Sequence, residues 1–180
     1  MKGGVSVVQL RGKDSDDRTL LRFGERLRHL TDQHGVSLVV NDRPDLALLL
    51  EADGVHLGQS DLPPAEVRRL VGSSLQIGLS THSLAEALAA CEAPVDYLAF
   101  GPVFPTRSKS DPSPITGLRT LAEVAQKVNK PVVAIGGISS ANSHQIRRAG
   151  AVGVAVIEAL VQAPDPAEEA RAILERQSAR

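Results

Sequence analysis

The sequence predicts an α/β fold in which parallel strands and helices alternate around one sheet. Seven times a short apolar run, mostly Val, Leu and Ile, ends in small, polar or charged residues: VSVVQLRGK (5–13), VSLVVNDR (36–43), GVHLGQSD (54–61), QIGLSTHS (76–83), DYLAFGPVFPTRSK (96–109), PVVAIGGIS (131–139) and VGVAVIEAL (152–160). Each run except the third is followed by a segment of helical spacing or length, and the third by a short one. That rhythm marks repeated βα units. In such folds the carboxyl ends of the strands carry the site. There this chain gathers two Asp, an Arg, two Lys, several Ser and Thr and a Gly-Gly pair, a set suited to a metal and phosphates.

The first strand is expected near Val5. Residues 17–33 set Leu20, Phe23, Leu27 and Leu30 at spacings of three and four, an amphipathic helix. Residues 45–51 read as a short helix after Pro44, and 63–71 as another with prolines in its first turn. Ser83 is placed to cap a helix over 84–91, with Glu86 completing a capping box. Segments 118–128, 141–149 and 166–177 supply the remaining helices, giving seven strands and seven helices in strict alternation. A closed (β/α)8 barrel of the TIM type takes one more βα unit, and no run before Val5 supplies it. The expectation is a TIM-type barrel of parallel strands lacking its first unit. Its sheet is then open or distorted, or an upstream start or a partner provides the edge.

Composition narrows the function. The chain has 180 residues and is read as one domain, 1–180, large enough for a sizeable core. A net charge of −1 points to neither nucleic acid nor a membrane surface. The three Phe, one Tyr and absent Trp leave no stacking platform for bases. No apolar stretch reaches the roughly 18–20 residues of a membrane span, and no signal-peptide pattern opens the chain. A single cysteine, Cys91, excludes an internal disulfide and reads as a buried small hydrophobe. The expected compartment is the cytoplasm, with homo-oligomerisation allowed for.

Asp42 ends one run after Asn41, and Asp61 ends the next, 19 residues on. Neighbouring parallel strands lie about 4.8 Å apart, so groups leaving consecutive strand ends converge on one ion. Two carboxylates without a His/Cys set suit Mg²⁺, which takes one or two carboxylates plus phosphates and water. The alternative is that each Asp caps the helix after it. Alternation along an extended strand places Gln9, Arg11 and Lys13 on one side, an Arg fork and a point charge fit for a pyrophosphate, or simply a solvated strand end. Thr106, Ser108 and Lys109 in the Pro-bounded loop after Phe104 offer a second phosphate grip. Gly136-Gly137 lets backbone approach a ligand, with a helix N-terminus to follow. His56 reads as packed core, and His82 as a site or a loop residue. Neither is assigned a proton-transfer role.

Together these elements resemble the thiamine-phosphate synthase family, enzymes built on a (β/α)8 barrel. The resemblance rests on Q-L-R-G-K (9–13), V-N-D-R (40–43), D-G-V-H-L-G-Q-S-D (53–61), G-L-S-T-H-S (78–83), G-P-V-F-P-T-R-S-K (101–109) and A-I-G-G-I (134–138), in order and at matching spacing. It implies Mg²⁺-dependent joining of a pyrimidine methyl diphosphate to a thiazole phosphate, with release of pyrophosphate. It implies that Asp42 and Asp61 hold Mg²⁺, that Gln9, Arg11, Lys13 and Asn41 bind the pyrimidine diphosphate, and that Ser80 and Lys109 lie near the leaving pyrophosphate. On that resemblance Arg11, Lys13, Ser80 and Lys109 would form the catalytic set. Thr106 and Ser108 would grip that region or the thiazole end, while Gly137, Val156 and Ile157 would take the thiazole phosphate. Glu158 stands where the family usually carries a small Ser.

Two other readings compete. A thiazole tautomerase resembles the synthase but carries a His where this chain has Pro102, and tends to lose the carboxylate that Asp61 retains. A non-catalytic thiamine-precursor-binding or regulatory barrel would account for a lost unit and for Glu158.

Overall fold

The computed structural model describes residues 1–106 and 114–178. Its strands are β1 (Val7–Leu10), β2 (Ser37–Asn41), β3 (Gly54–Leu57), β4 (Gln76–Thr81), β5 (Tyr97–Phe100), β6 (Val132–Ile135) and β7 (Gly153–Ala155). Its helices are α1 (Asp17–His34), α2 (Pro44–Leu49), α3 (Pro64–Val71), α4 (Leu84–Cys91), α5 (Gly117–Lys127), α6 (Ser143–Arg148), α7 (Glu158–Val161) and α8 (Pro166–Ser178). The strands form one sheet in sequence order, every neighbouring pair parallel, with β1 and β7 at its two edges. This is the expected TIM-like sheet of seven strands, curled but not closed. The expected strict alternation gives way once: the single turn α7 precedes α8, so the described residues hold eight helices.

The apolar runs are strands because both faces of a parallel sheet are covered. Leu38, Val40, Val55, Leu57, Ile77, Leu98 and Phe100 are fully buried on the helix-covered face. Burying each contributes about 1.5–3 kcal/mol. The opposite, concave face carries Val39, Asn41, His56, Gly78, Ser80, Tyr97 and Ala99, with Asn41, His56, Gly78 and Tyr97 lying in one row across four strands. At the open edges this face meets solvent, with Val7 51% and Ile157 53% exposed.

Two aspartates pin the other end of the sheet. Asp53, just before β3, accepts the Leu38 N–H at 2.7 Å and pairs with Arg28 at 2.8 Å. Asp96, just before β5, accepts the Ile77 N–H at 2.7 Å and pairs with Arg68 at 2.6 Å. Burial disfavours the charged form of Asp53, but Arg28 and the Leu38 N–H outweigh it and hold its carboxyl below the usual range.

Helix α1 turns only part of its predicted apolar stripe inward, with Leu27 packed against the core beside the buried Leu20. Leu20, Gly24 and Thr31 are buried, whereas Phe23 and Leu30 are 56% and 46% exposed. Gly24 lies against Leu50 at the end of α2 and Leu10 of β1, where a Cβ would be 2.5 Å from Leu50 Cδ1 and 3.0 Å from Leu10 Cδ2. Cys91 is half-buried, its Sγ 3.3 Å from the Ala87 carbonyl. Ser83 caps α4 as expected, but Glu86 reaches back to the N–H of His82 (2.7 Å) rather than to that of the cap itself. At the far end Ala170 and Ile173 of α8 are buried, and Gly3 abuts that helix so closely that a Cβ would meet the Ala167 carbonyl at 2.7 Å.

Candidate active site

The parallel order puts every strand's carboxyl end on one rim of the sheet, where the loops to the following helices bring the polar residues together. β1 stops at Leu10, so Arg11 and Lys13 stand in the loop to α1 rather than on one strand face as alternation predicted. The chain turns at Gly12, whose carbonyl accepts the Ser15 N–H, and enters α1 at Asp16, which accepts the Thr19 N–H at 2.9 Å. Lys13 nevertheless reaches the acidic pair, with Nζ 3.4 Å from Asp42 Oδ2. Gln9 and Arg11 are exposed.

Asp42 sits in the left-handed region at φ 63°, a conformation Asp tolerates better than most side chains. Its N–H donates to the His56 carbonyl at 2.8 Å, which ties the end of β2 to β3. Neither aspartate caps a helix: the N-cap residues of α2 and α3 are Arg43 and Pro63, and neither makes a side-chain cap bond. Asp61 closes its own loop instead, accepting the Gly58 N–H at 2.6 Å. Partial burial and the neighbouring Asp61 carboxylate push the Asp42 carboxyl above its usual range, and Lys13 opposes them. The Asp42 carboxyl thus lies between a like charge on Asp61 and the Lys13 ammonium. Among the described residues no group of three or more His, Cys, Asp or Glu side chains is arranged to hold a metal. Two carboxylates alone fit Mg²⁺, which keeps waters and takes substrate phosphate oxygens. An open depression of about 520 Å³ adjoins the pair, lined among others by Asp42, Arg43, Ser60 and Asp61. Arg43 is held by Asp17 and Asp45, each at 2.6 Å, which raises its pKa and fixes the wall of that depression.

Behind the pair runs a buried polar chain. His56 Nε2 lies 2.9 Å from Ser80 Oγ, and Nδ1 lies 3.0 Å from the Tyr97 hydroxyl. His56 and Ser80 are each only 7% exposed. His56 is thus buried as expected, but it is bonded directly to a site residue. Sequence reasoning missed Tyr97, because only the sheet register places it in the same row as His56. The one available signal is Gly78 between them: a Cβ there would lie 2.1 Å from Tyr97 Cζ and 2.5 Å from His56 Nδ1. Gln59 Nε2 donates to the Ser80 carbonyl at 2.6 Å, linking the Asp61 loop to β4. His82 is a strand-end clamp, its Nδ1–H donating to the Gly101 carbonyl at 2.6 Å.

A second group forms on β5 to β7. Gly137 has φ 64°, and a Cβ on it would lie 2.3 Å from the Pro105 carbonyl, so the close approach it permits is made first by this chain's own loop. Helix α6 starts only at Ser143, and the Ser139 N–H is taken by Asn142 Oδ1 at 2.9 Å. The helix expected over 141–149 thus begins two residues later and ends one residue earlier. Thr106 and Val156 are half-buried and Ile157 is exposed on the same rim. Ser108 and Lys109 lie outside the described residues.

Residues 1–160 match the family described as thiamine monophosphate synthase. The chain belongs to that family. The thiamine-phosphate synthase of Roseiflexus sp. (strain RS-1) is 48% identical over 173 residues, 96% of this chain and 73% of that protein. That of Thermus thermophilus is 48% identical over 177 residues, 98% of this chain and 84% of that protein. A solved thiamine phosphate pyrophosphorylase from Pyrococcus furiosus superposes at a TM-score of 0.90 with 36% identity, covering 98% of this chain and 84% of that one. Family membership makes the chain a transferase of thiamine biosynthesis, and the tautomerase and non-catalytic readings gain no support.

Proposed function

We propose that this chain joins hydroxymethylpyrimidine diphosphate to hydroxyethylthiazole phosphate, releasing pyrophosphate and forming thiamine phosphate. The observation that carries this reading is the uncapped pair Asp42 and Asp61 with Lys13 at 3.4 Å, in a member of the synthase family. A half-buried Asp42 carboxylate that caps no helix and is disfavoured by burial and by Asp61 is what a bound cation would relieve.

The bond between the pyrimidine methylene carbon and the diphosphate oxygen breaks, and its electron pair departs on pyrophosphate. The thiazole nitrogen lone pair then forms the new carbon–nitrogen bond to the pyrimidine cation. This scheme uses no covalent enzyme nucleophile. Protein work is neutralisation of the leaving group and positioning of two substrates. Arg11 and Lys13 supply positive charge at the diphosphate, Gln9 and Asn41 orient the pyrimidine, and Ser80 with Lys109 attends the departing oxygens. Thr106, Ser108, Gly137, Val156 and Ile157 seat the thiazole phosphate. Asp42 and Asp61 would hold Mg²⁺, which supplies Lewis-acid neutralisation of the pyrophosphate when bound. The small-molecule substrates, action by residues 1–180 as one unit, and a cytoplasmic setting complete the proposal. Among the described residues no helix is long and apolar enough to cross a membrane.

The test is thiamine-phosphate formation by the purified chain with both substrates, with and without Mg²⁺, beside Asp42→Ala. Mg²⁺-dependent product that falls by orders of magnitude in the variant is expected. No product from the folded wild-type chain, or metal dependence unchanged in Asp42→Ala, would remove the reading.

A further inference from the structure

We propose that His56 and Tyr97 are positioning residues that hold the Ser80 hydroxyl as a hydrogen-bond donor toward the leaving diphosphate. The inference deepens the synthase reading and rests on it.

A serine beside a departing phosphate oxygen is useful only while its proton is available, since an anion accepts hydrogen bonds and cannot donate them. Ser80 Oγ already has a partner, His56 Nε2 at 2.9 Å. If the serine proton were committed to that nitrogen, the hydroxyl would turn lone pairs toward the anion. The tautomer of His56 therefore decides what Ser80 can do, and the partner on its other nitrogen decides the tautomer. That partner is the Tyr97 hydroxyl, 3.0 Å from Nδ1.

A phenol is a stronger acid than an alkyl alcohol, so of the two hydroxyls competing for the one unprotonated ring nitrogen Tyr97 is the better donor. Burial foremost, and then the Asp96 carboxylate, push the Tyr97 pKa up to about 12, so the phenol keeps its proton at every working pH. Tyr97 O–H then donates to Nδ1, Nε2–H donates to Ser80 Oγ, and the serine proton is left to point onward. The arrangement is built into the sheet. Asn41, His56, Gly78 and Tyr97 share one row of the concave face. Only a residue without a Cβ at position 78 lets the phenol reach across β4 to the imidazole.

The same histidine also ties the hydroxyl to the acidic pair. Its carbonyl accepts the Asp42 N–H at 2.8 Å while its ring holds Ser80. The Asp61 loop is joined to β4 from the other side through Gln59 Nε2 and the Ser80 carbonyl. Movement of His56 would shift hydroxyl and carboxylate together.

Two experiments test this. In steady-state synthesis of thiamine phosphate, Ser80→Ala is expected to slow kcat about 100-fold, as loss of one preorganised donor does. Tyr97→Phe, which removes a single oxygen, is expected to slow kcat about tenfold, within the range of one proton-positioning group, with KM little changed. In the Ser80→Ala background Tyr97→Phe should cost nothing further, because it acts through Ser80. An equal loss in both backgrounds would make Tyr97 a merely structural residue and overturn the proposal. The second experiment needs no turnover: ¹⁵N correlation spectra of the His56 ring. They should show Nε2 protonated and Nδ1 bare in the wild-type chain, and the population should move toward the opposite tautomer in Tyr97→Phe. A wild-type ring protonated on Nδ1 sinks the proposal whatever the kinetics. The expected ring pattern in a chain that makes no thiamine phosphate would instead retire the synthase reading and leave the bonded chain standing.

Discussion

Gly78→Ala adds one carbon where His56 and Tyr97 meet. An ideal Cβ there lies 2.1 Å from Tyr97 Cζ, 2.4 Å from its hydroxyl oxygen and 2.5 Å from His56 Nδ1. Real Cβ contacts avoid such distances, so something must move. The backbone at this position is ordinary strand, so the penalty is steric and not conformational. If the ring and imidazole stay, β4 is displaced against a buried face, and overpacking of this kind costs about 1–3 kcal/mol. If the phenol swings away, it gives up its bond to Nδ1, a net loss of about 0.5–1.5 kcal/mol, together with some ring burial. Either path destabilises the fold by about 1–3 kcal/mol, which for a chain of this size lowers Tm by roughly 3–10 °C. Thermal unfolding followed by far-ultraviolet circular dichroism reads the change. The same substitution made on Tyr97→Leu, which lacks both Cζ and the hydroxyl, should cost less. An identical Tm drop in both backgrounds, or none in either, would refute the packing argument.

Three further outcomes are expected. Asp42→Asn keeps the left-handed backbone and removes the charge that burial and Asp61 disfavour. It should abolish Mg²⁺-dependent turnover yet raise stability at neutral pH by about 0.5–2 kcal/mol. Because the folded pKa is raised, the ionised carboxylate costs stability above the ordinary carboxylate range, and the advantage of the variant should disappear as pH falls through it; a less stable variant at pH 7 would contradict the account. Asp53 has the opposite sign: its folded pKa is lowered, so its contribution is present above the unfolded value and lost as pH falls through the folded one. Asp53→Asn should therefore lower Tm at pH 7, by the equivalent of about 1 kcal/mol after allowance for its half-exposed side chain, and the gap from wild type should close in acid. Glu158→Ser should tighten binding of the thiazole phosphate in a calorimetric titration, and an unaltered affinity would place that carboxylate away from the phosphate.

The strand order and the site rim were legible because both are written locally. A run such as VSLVVND states its own strand and its own polar end, and a parallel sheet sends all such ends to one side. Asp42 and Asp61 could therefore be paired from spacing alone. Whether either one caps a helix could not, since that turned on the N-cap positions of α2 and α3, which are Arg43 and Pro63, one and two residues past the aspartates. Lys13 was expected on a strand face and reached Asp42 from a loop instead, because the turn at Gly12 ends the strand early. The inward face of α1 was only half legible: Leu20 and Leu27 pack inward as their spacing predicts, but Phe23 and Leu30 do not, and the close contact with Leu10 and Leu50 is met by Gly24.

By itself the sequence determined the repeated βα architecture, the order of the strands and the residue types that gather at their carboxyl ends. Hydrophobic periodicity and terminal polarity act within a few residues, and these properties follow from them. Tertiary structure alone decided that His56, Gly78 and Tyr97 form one row and that a phenol two strands away reaches the histidine bonded to Ser80. A strand's own pattern says which side chains share a face, but which residues of neighbouring strands stand opposite one another is settled only when the strands pair across the sheet.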